Sequence, residues 1–546
     1  MMRTIISCAC LALASSAAHA GGLFLPGSGA ISTSRAGAAV ASADDGEALS
    51  LNPAGLAKTH GGWTLTISTS LIQYKMQFTR TGGYDPTSEG AAYEGSDYGT
   101  VVNKPKPPLG IGEFQPIPVI ALVTGLGNRV PGLRLAIGLY APNAYPFRDM
   151  SQGYDHNVSD GNTPPPPTRY DILYQESQLL LPSVAAAYRV LPQLDIGARF
   201  TAGRAKAKSR LHLWGTPGNV SEWVKQDTEF TAEVEDSFVP AFGVGVAWRP
   251  SRNIEVGANY SSAAVIRGRG TAVSILGPEV KRDGVQSTIG PRAPGTEKCA
   301  PGGTLEEQKA CISLQLPQSA TVGARYKWLD FEGQMVGDLE LNVGWENWGK
   351  RCEEFLYDDP ALSPHDSSCT APGQYLVVVD SSIYVNGVPE RDVETNFVNL
   401  NLKDTFSLRL GGSYHLELQE HKKIILRFGT AYDTGAAKKG WLRANFDGAD
   451  RVTGTLGGAY RTRSWELDLG AGYIYEGTNT NAGSCNPTPS QLGCVGDGTQ
   501  NDPTVRGGPD PTSPILTPQQ QFENPINQGT FKSSYLLFML GFSTWF

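Results

Sequence analysis

About fourteen segments of this chain share a pattern in which apolar residues occupy every second position, and this pattern predicts β-strands. In the segment 464–475, apolar side chains alternate from Trp465 to Tyr475, with acidic residues and glycines between them. The predicted strands cover residues 62–80, 116–125, 132–142, 174–190, 192–215, 226–249, 253–274, 313–328, 337–350, 399–417, 422–434, 449–461, 464–476 and 531–546.

The connections between these strands alternate between short and long along the chain. The short turn 250–252 and the long segment 275–312 flank one predicted strand, and the short turn 462–463 and the long segment 477–530 flank another. A half-exposed soluble sheet would also alternate, but aromatic residues at strand ends and charges beside glycine on the opposite face favour a membrane barrel. The sequence therefore predicts an all-β fold: a transmembrane antiparallel β-barrel of about fourteen strands in the outer membrane of a Gram-negative bacterium.

The first twenty residues read as a secretory signal peptide. Arg3 precedes the apolar run IISCACLALA, and Ala18-His19-Ala20 has the small-x-small form of a cleavage site. The apolar run is too short to span a bilayer, so a membrane anchor is the weaker interpretation. We therefore divide the chain into a signal peptide (1–20), a following segment (21–60) and the barrel (61–546).

Residues 21–60 are rich in Gly, Ala and Ser and lack the strand pattern. A lumen enclosed by about fourteen strands has room for such a segment, since wider barrels leave an aqueous channel and narrower ones are filled by side chains. A disordered tail is the alternative. Ser42–Asp45 resembles a capping box, and Asn52-Pro53 places an N-cap residue before a first-turn proline. These features predict a small, partly helical hatch inside the barrel.

The string from Arg35 through Asp44-Asp45 to Asn52-Pro53-Ala54 resembles the N-terminal hatch of the long-chain fatty acid transporter family, which includes toluene and xylene uptake channels. The resemblance implies a mechanism in which a hydrophobic substrate is captured in an apolar site. The hatch then rearranges, and the substrate leaves through an opening in the barrel wall. It also implies a gating role for Arg35, Asp44, Asp45, Glu47, Asn52, Pro53 and Ala54.

The last predicted strand ends at an aromatic residue, Phe546. This ending resembles the signal that outer-membrane barrels present to the barrel assembly machinery.

Four arginines lie on predicted inward faces: Arg199, Arg325, Arg409 and Arg427. In a lumen of reduced dielectric, opposite charges attract strongly and lone charges are costly. We hypothesise that these arginines anchor the hatch acids. Two alternatives stay open: pairing with wall acids such as Glu340, Glu346, Glu466 and Asp468, or binding of a fatty-acid carboxylate.

Six cysteines follow the signal peptide as three close pairs: Cys299 and Cys311, Cys352 and Cys369, and Cys485 and Cys494. Export permits disulfides, and all three pairs fall in long connections. Metal binding is the alternative, but the spacing resembles no zinc site. We predict neighbour disulfides and no metal.

Composition and motifs exclude several function classes. A net charge of −8 argues against nucleic acid as a partner. His212 and His415 stand near strand ends without a Ser/His/Asp arrangement, so neither catalysis nor a cofactor is predicted.

The sequence thus predicts an outer-membrane uptake channel for hydrophobic compounds, most of all long-chain fatty acids. It would act as a monomer embedded in outer-membrane lipid. An aromatic-hydrocarbon channel, a barrel enzyme acting on lipids and a surface interaction protein remain the alternatives.

Overall fold

A computed structural model gives the architecture of the chain. It describes residues 22–84, 86–87, 89–155, 163–214, 223–282, 284–299, 308–350, 370–393, 396–400, 402–419, 421–438, 441–446, 448–481 and 529–546. The predicted signal peptide lies outside these residues. No helix within these ranges is long and apolar enough to cross a membrane.

Fourteen antiparallel strands form a closed barrel, which confirms the predicted fold class and strand count. Strands β7 and β8 each consist of two consecutive pieces. The strands are β1 Trp63–Arg80, β2 Gln115–Gly125, β3 Leu133–Tyr140, β4 Tyr174–Leu191, β5 Leu194–Leu213, β6 Thr228–Trp248, β7 Ile254–Ser261 with Ala264–Ile275, β8 Gln308–Leu316 with Ser319–Leu329, β9 Met335–Glu346, β10 Thr405–Gln419, β11 Lys422–Asp433, β12 Arg451–Arg461, β13 Trp465–Asn481 and β14 Gly529–Trp545.

Short strands extend or decorate the end of the barrel that carries the long connections, here called the long-loop end. Phe147–Asp149 follows β3, Gln374–Val385 follows β9, and Asn396–Asn399 precedes β10. The others are Thr100–Val102, Lys281–Arg282, Val285–Gln286, Thr288–Pro291 and Val388–Asp392. The opposite end, where turns such as 462–464 are short, is the short-turn end.

The barrel closes where its first and last strands meet. β1 pairs with β14 from Thr64 opposite Trp545 to Arg80 opposite Gly529. At the short-turn end, the backbone N–H groups of Gly62 and Trp63 both donate to the carbonyl oxygen of Phe546, each at 2.9 Å. The terminal residue therefore completes the ladder at the junction of the first and last strands.

The wall has an irregularity at the long-loop end of β3, here called the β3 break (residues 141–146). β3 pairs with both neighbours up to Tyr140, whereas Phe147–Asp149 pairs with β4 alone. Prolines at 142 and 146 flank this stretch, and proline lacks the N–H that a ladder needs. The chain consequently leaves the sheet between the two pieces.

A second irregularity, the β6–β7 seam, separates residues 236–242 from residues 262–268. The two strands keep one register on both sides of it, with Glu235 opposite Arg269 and Gly243 opposite Ser261. The Asp236 carboxylate accepts hydrogen bonds from the backbone N–H groups of Phe238 (3.0 Å) and Arg267 (2.7 Å). Side chains thus replace part of the missing ladder.

The segment before β1 contains two short helices, α1 Ala30–Thr33 and α2 Ala48–Leu51, and a 3₁₀ helix Pro53–Lys58. The prediction at Asn52-Pro53 is confirmed, because the Asn52 side chain accepts a hydrogen bond from Ala54 N–H at 3.1 Å. The capping-box interpretation of Ser42–Asp45 is wrong. No helix begins there, and α2 starts after Glu47, whose side chain makes no capping bond to it.

Candidate functional site

The hatch, defined as residues 22–60 of the structure, fills the barrel lumen, and most of its side chains are buried. Wall glycines make room for its backbone. A Cβ atom on Gly429 would lie 2.1 Å from the carbonyl carbon of Arg35, and one on Gly197 would lie 2.4 Å from Ala54 N. These glycines are therefore part of the seat of the hatch.

Glu47 connects two parts of the hatch to each other and to the wall. Its buried carboxylate accepts hydrogen bonds from the N–H groups of Ile31 (3.0 Å) and Ser32 (2.9 Å), at the start of α1. It also accepts one from the Ser68 hydroxyl of β1 at 3.1 Å. Backbone N–H groups at a helix start favour an anionic partner, so Glu47 fixes α1 against β1.

Arg35 is the charged anchor between the hatch and the wall. Its guanidinium makes two hydrogen bonds to the Asp338 carboxylate of β9, at 3.0 and 2.9 Å. Asp338 also accepts a hydrogen bond from Arg325 Nε at 2.6 Å. The side chains of Arg35 and Asp338 are both almost fully buried. A two-bond arginine–carboxylate pair fixes orientation as well as distance.

Further hydrogen bonds hold the middle of the hatch through its backbone. The Glu340 carboxylate accepts from the N–H groups of Ala41 (2.8 Å) and Ser42 (3.0 Å). Arg199 donates to the carbonyl oxygens of Leu49 (2.7 Å) and Ser50 (2.8 Å). Charged wall groups thus hold the hatch from two sides.

The four lumen arginines do not pair with the hatch acids as hypothesised. Among the ion pairs of the described residues, Arg427 contacts Glu466 and Asp468, each at 2.5 Å, and Arg409 contacts Asp433 at 3.2 Å. Arg325 pairs with Asp338 and Glu255. Arg199 does anchor the hatch, but through carbonyl oxygens. The polarity is reversed, because the hatch supplies the cation Arg35 and the wall supplies the acids.

A polar cavity lies between the hatch and the walls of β8 to β12, in the half of the barrel nearer the short-turn end. Asp44, Asp45 and Glu47 line it from the hatch. The wall contributes the charged groups Arg325, Arg427 and Arg461 and the imidazole of His415. An apolar molecule entering this space would separate charged groups from their polar surroundings, which costs free energy.

The half of the lumen toward the long-loop end contains an apolar cluster. One continuous cluster of buried side chains joins β1, β13 and β14 to the hatch residues Leu25 and Ala30 and to the β3 break. Its aromatic members stack in pairs, with ring centroids 4.5 Å apart for Tyr74 and Tyr535 and 4.4 Å apart for Phe78 and Phe531. The other members are Ile72, Met76, Val101, Ile117, Ala141, Tyr145, Phe147, Met150, Ile172, Ala444, Ile474, Leu537 and Met539.

Two buried guanidinium groups border this apolar cluster. Arg148 lies over the ring of Tyr74, 4.9 Å from its centroid, and Arg451 lies over Tyr535 at 5.6 Å. Arg451 also donates to Glu476 at 2.7 Å and to the carbonyl oxygen of Phe24 at 3.0 Å. The sequence analysis missed both arginines, since only the contact with aromatic rings distinguishes them from other inward charges.

The β3 break contacts the first residues of the hatch directly. Leu25 N–H donates to the carbonyl oxygen of Asn143 at 2.6 Å, and the Asn143 side-chain amide donates to the carbonyl oxygen of Pro26 at 2.8 Å. Asn143 is buried, so this part of the wall turns inward. The flanking prolines were the sequence signal that could have located it. Two further prolines, Pro182 and Pro240, lie within the strands β4 and β6.

Cys299 and Cys311 form the predicted disulfide, with Cα atoms 5.7 Å apart. Cys352, Cys369, Cys485 and Cys494 lie outside the described residues. Within the described part of the chain, no group of three or more His, Cys, Asp or Glu side chains is placed to hold a metal ion.

Three solved structures illustrate the extensive likeness in fold. A FadL homologue of Pseudomonas aeruginosa has a TM-score of 0.62 at 15% identity, covering 96% of this chain and 99% of that one. The toluene transporter TodX of Pseudomonas putida has a TM-score of 0.56 at 13% identity, with 96% and 100% covered. The toluene transporter TbuX of Ralstonia pickettii has a TM-score of 0.53 at 12% identity, with 96% and 99% covered.

Comparison with curated protein sequences gives no match. Residues 176–490 match the family described as outer membrane protein transport protein (OMPP1/FadL/TodX), and this match spans more than half of the chain. That family consists of transport channels rather than enzymes. The chain therefore belongs to the OMPP1/FadL/TodX family of outer-membrane channels for hydrophobic compounds.

Proposed function

We propose that this channel takes up long-chain fatty acids by capture in the apolar cluster, followed by rearrangement of the hatch. The observation that carries the proposal is the continuity of this cluster. It runs from the long-loop, extracellular half of the lumen past Leu25 and Ala30 to the β3 break. Burial of a hydrocarbon chain contributes about 25 cal/mol per Å² of apolar surface, so such a path binds the substrate along its length.

The exit we propose is the β3 break, the opening in the barrel wall that the family resemblance implies. The polar cavity between the hatch and the wall disfavours a straight apolar path to the periplasm, because Asp44, Arg427 and Arg461 border it. The apolar cluster instead reaches Ala141 and Tyr145 within the break. A substrate that follows apolar surface is thereby directed into the wall.

The moving part of the hatch would be its first residues, 22–29. Charged wall groups hold the later segment at several points, whereas residues 22–29 are held by hydrogen bonds of Leu25 and Pro26 to Asn143 and of the Phe24 carbonyl oxygen to Arg451. Gly27 and Gly29 have φ angles of 86° and 87°, a backbone region that glycine adopts without steric cost. These two positions can therefore act as hinges while Arg35 keeps the remainder in place.

Two features of the cluster bear on the class of substrate. The guanidinium groups of Arg148 and Arg451 at its border suit a ligand with one carboxylate and a long apolar tail, as a fatty acid has. The stacked rings of Tyr74 and Tyr535 favour the second candidate, an aromatic hydrocarbon. TodX and TbuX are toluene transporters, which keeps this alternative in the test.

The test is uptake of radiolabelled oleate and of labelled toluene by cells that carry or lack the gene. Faster oleate uptake in cells with the gene, with unchanged toluene uptake, is the expected result. A difference for toluene alone would replace the fatty acid by the aromatic substrate. Equal uptake of both compounds by the two strains would reject transport of either.

Two partner assignments complete the proposal. Phe546 would present its aromatic ring, 73% exposed, to the barrel assembly machinery. The folded chain would work as a monomer in outer-membrane lipid, since its barrel is closed by its own strands. Deleting Phe546 and measuring the yield of folded barrel in membranes tests the first assignment; an unchanged yield would reject it.

A further inference from the structure

The outward surface of β5 to β8 carries a cluster of basic side chains toward the extracellular end, here called the outer basic face. Outward positions alternate with inward ones along each strand, so residues of one parity share this surface. Its members are Arg204, Lys206, Lys208, Arg210, Arg267, Arg269 and Lys309. The same strands contribute fewer acids here: Glu229, Glu233, Glu235 and Asp236.

The height of this surface is fixed by the apolar side chains directly below it. Phe200, Phe238 and Phe242 point outward and are 50%, 58% and 51% exposed, as expected of residues that face hydrocarbon. The charged positions begin immediately beyond them along the strands. The outer basic face therefore stands in the polar headgroup layer of the outer leaflet.

The charges on this surface do not balance. Glu235 forms an ion pair with Arg204 at 2.7 Å. Glu233 forms ion pairs with both Lys206 (2.6 Å) and Lys208 (3.8 Å). The Asp236 carboxylate is occupied by two backbone N–H groups of the seam. Among the ion pairs of the described residues, none involves Arg267, Arg269 or Lys309. The β7–β8 part of the surface therefore carries a net positive charge, since the negative charge of Asp236 does not balance three cations.

Cross-strand register brings the excess charge together. Arg269 stands opposite Glu235, which in turn stands opposite Lys206 on β5. Arg267 lies two positions before Arg269 on the same face of β7, and both arginines are exposed. Neighbouring like charges repel in the absence of a counter-ion, so this arrangement favours an anionic ligand that bridges them.

The larger group of cations lies on this side of the barrel. On β13, the outward residues of the outer half are Tyr473 and Tyr475, which are 49% and 55% exposed. β1 and β14 contribute Lys75 and Lys532 as exposed cations. The basic side is also structurally defined, since Cys311, opposite Arg269, is tied to Cys299 by the disulfide.

We propose that the outer basic face binds the phosphate groups of the phosphorylated glycolipid that forms the outer leaflet. Arg267 and Arg269 would make charge-assisted hydrogen bonds to phosphate oxygens, for which the planar guanidinium is well suited. The acyl chains of the same lipid would pack against Phe238 and Phe242 below. The protein would thereby carry a fixed lipid on one side of its barrel.

The experiment titrates the purified full-length protein in detergent micelles with lipid A and counts bound lipid by native mass spectrometry. The variant Arg267→Gln/Arg269→Gln should bind lipid A at least about tenfold more weakly, given the strength of charge-assisted bonds. Lys75→Gln/Lys532→Gln, which removes the same charge from the other side, should stay within about twofold. Heat-modified migration on gels checks that each variant is folded.

Several results would overturn the proposal. These are unchanged lipid A binding by Arg267→Gln/Arg269→Gln, an equal loss in Lys75→Gln/Lys532→Gln, or equally tight binding of dephosphorylated lipid A to the unmodified protein. Displacement of lipid A by inorganic phosphate at the same phosphate concentration would show a site for free phosphate instead. Oleate uptake should be unchanged in the arginine variant, so this test and that of the transport proposal fail independently.

Discussion

The barrel wall is irregular in two places, and the two irregularities are built in opposite ways. At the β3 break, the chain turns inward, and Asn143 bonds to Leu25 and Pro26 of the hatch. At the β6–β7 seam, the strands keep one register, and the side chains of Asp236 and Ser262 accept backbone hydrogen bonds within the wall. The β3 break couples the wall to the hatch, whereas the β6–β7 seam satisfies its backbone groups with side chains of its own two strands.

This difference separates the proposed gate from an irregularity that stays closed. Unpaired backbone groups in a bilayer are costly, so each irregularity needs substitute partners. The seam takes them from its own two strands and can stay closed whatever the hatch does. The break takes one of them from the hatch, so displacement of Leu25 changes the wall there. We therefore expect transport to depend on the break and folding stability to depend on both.

Locking each irregularity with a disulfide should give the largest contrast. The double variant Leu25→Cys/Asn143→Cys joins residues whose backbones are hydrogen bonded at 2.6 Å, a spacing compatible with a disulfide. Oxidation should reduce oleate uptake at least about tenfold, since the gate cannot open, and reduction should restore it. Phe242→Cys/Ser262→Cys, across the seam, should leave uptake unchanged. An equal loss of oleate uptake in the two oxidised variants would contradict the distinction between the β3 break and the β6–β7 seam.

Removing the charged anchor tests whether the later hatch must stay in place while the break opens. Arg35→Ala leaves Asp338 buried without one of its cations, which costs about 3–5 kcal/mol. We expect the hatch to loosen and small solutes to leak in liposome-swelling assays. Adding Asp338→Ala should recover part of the lost stability. Arg249→Ala, which pairs with Asp195 and makes no described bond to the hatch, is the control. Unchanged leakage of small solutes through the Arg35→Ala barrel would contradict the anchoring role of Arg35.

Crowding the hatch seat should have an intermediate effect. A methyl group on Gly429 would approach Arg35 within 2.1 Å, so Gly429→Ala should destabilise the barrel by about 1–3 kcal/mol in urea unfolding. Gly454 lies on the next strand, and a Cβ there would meet no atom within 4 Å. Gly454→Ala should therefore be neutral. Similar unfolding midpoints for the two variants would show that the hatch is not tightly seated.

The smallest effect is expected at the seam. Asp236→Ala removes the acceptor of two backbone N–H groups and should lower the free energy of unfolding by about 1 kcal/mol, because water reaches this headgroup-level site. Asp236→Asn keeps an acceptor oxygen, so its free energy of unfolding should lie between those of the unmodified protein and Asp236→Ala. Uptake should be unaffected in both variants. Slower uptake at unchanged stability would make the seam part of the gate.

The strands and their rhythm could be predicted because they rest on local sequence periodicity. A period of two along a strand such as β13 records that one face meets lipid and the other the lumen. Asn52-Pro53 was equally readable, since a cap bonds to a residue two positions away. The disulfide between Cys299 and Cys311 followed from their close spacing in a long connection.

The partners of the lumen charges could not be predicted, because they depend on which strands face each other across the hatch. Arg427 could equally have met Asp44 or Asp468 from the sequence alone, and the register of β11 to β13 decided for Asp468. Arg35 and Asp338 are separated by 303 positions. The apolar cluster was hidden for the same reason, since its members come from distant strands.

The barrel closes when β14 pairs with β1, and Phe546 caps the residues that directly follow the hatch. Wall glycines such as Gly429 leave the hatch backbone no clearance, so a finished barrel offers it no way in through the wall. We therefore expect the hatch to enter the lumen before or during the pairing of the final strand. Assembly of this barrel would therefore couple the placement of the N-terminal hatch to the pairing of the C-terminal strand β14.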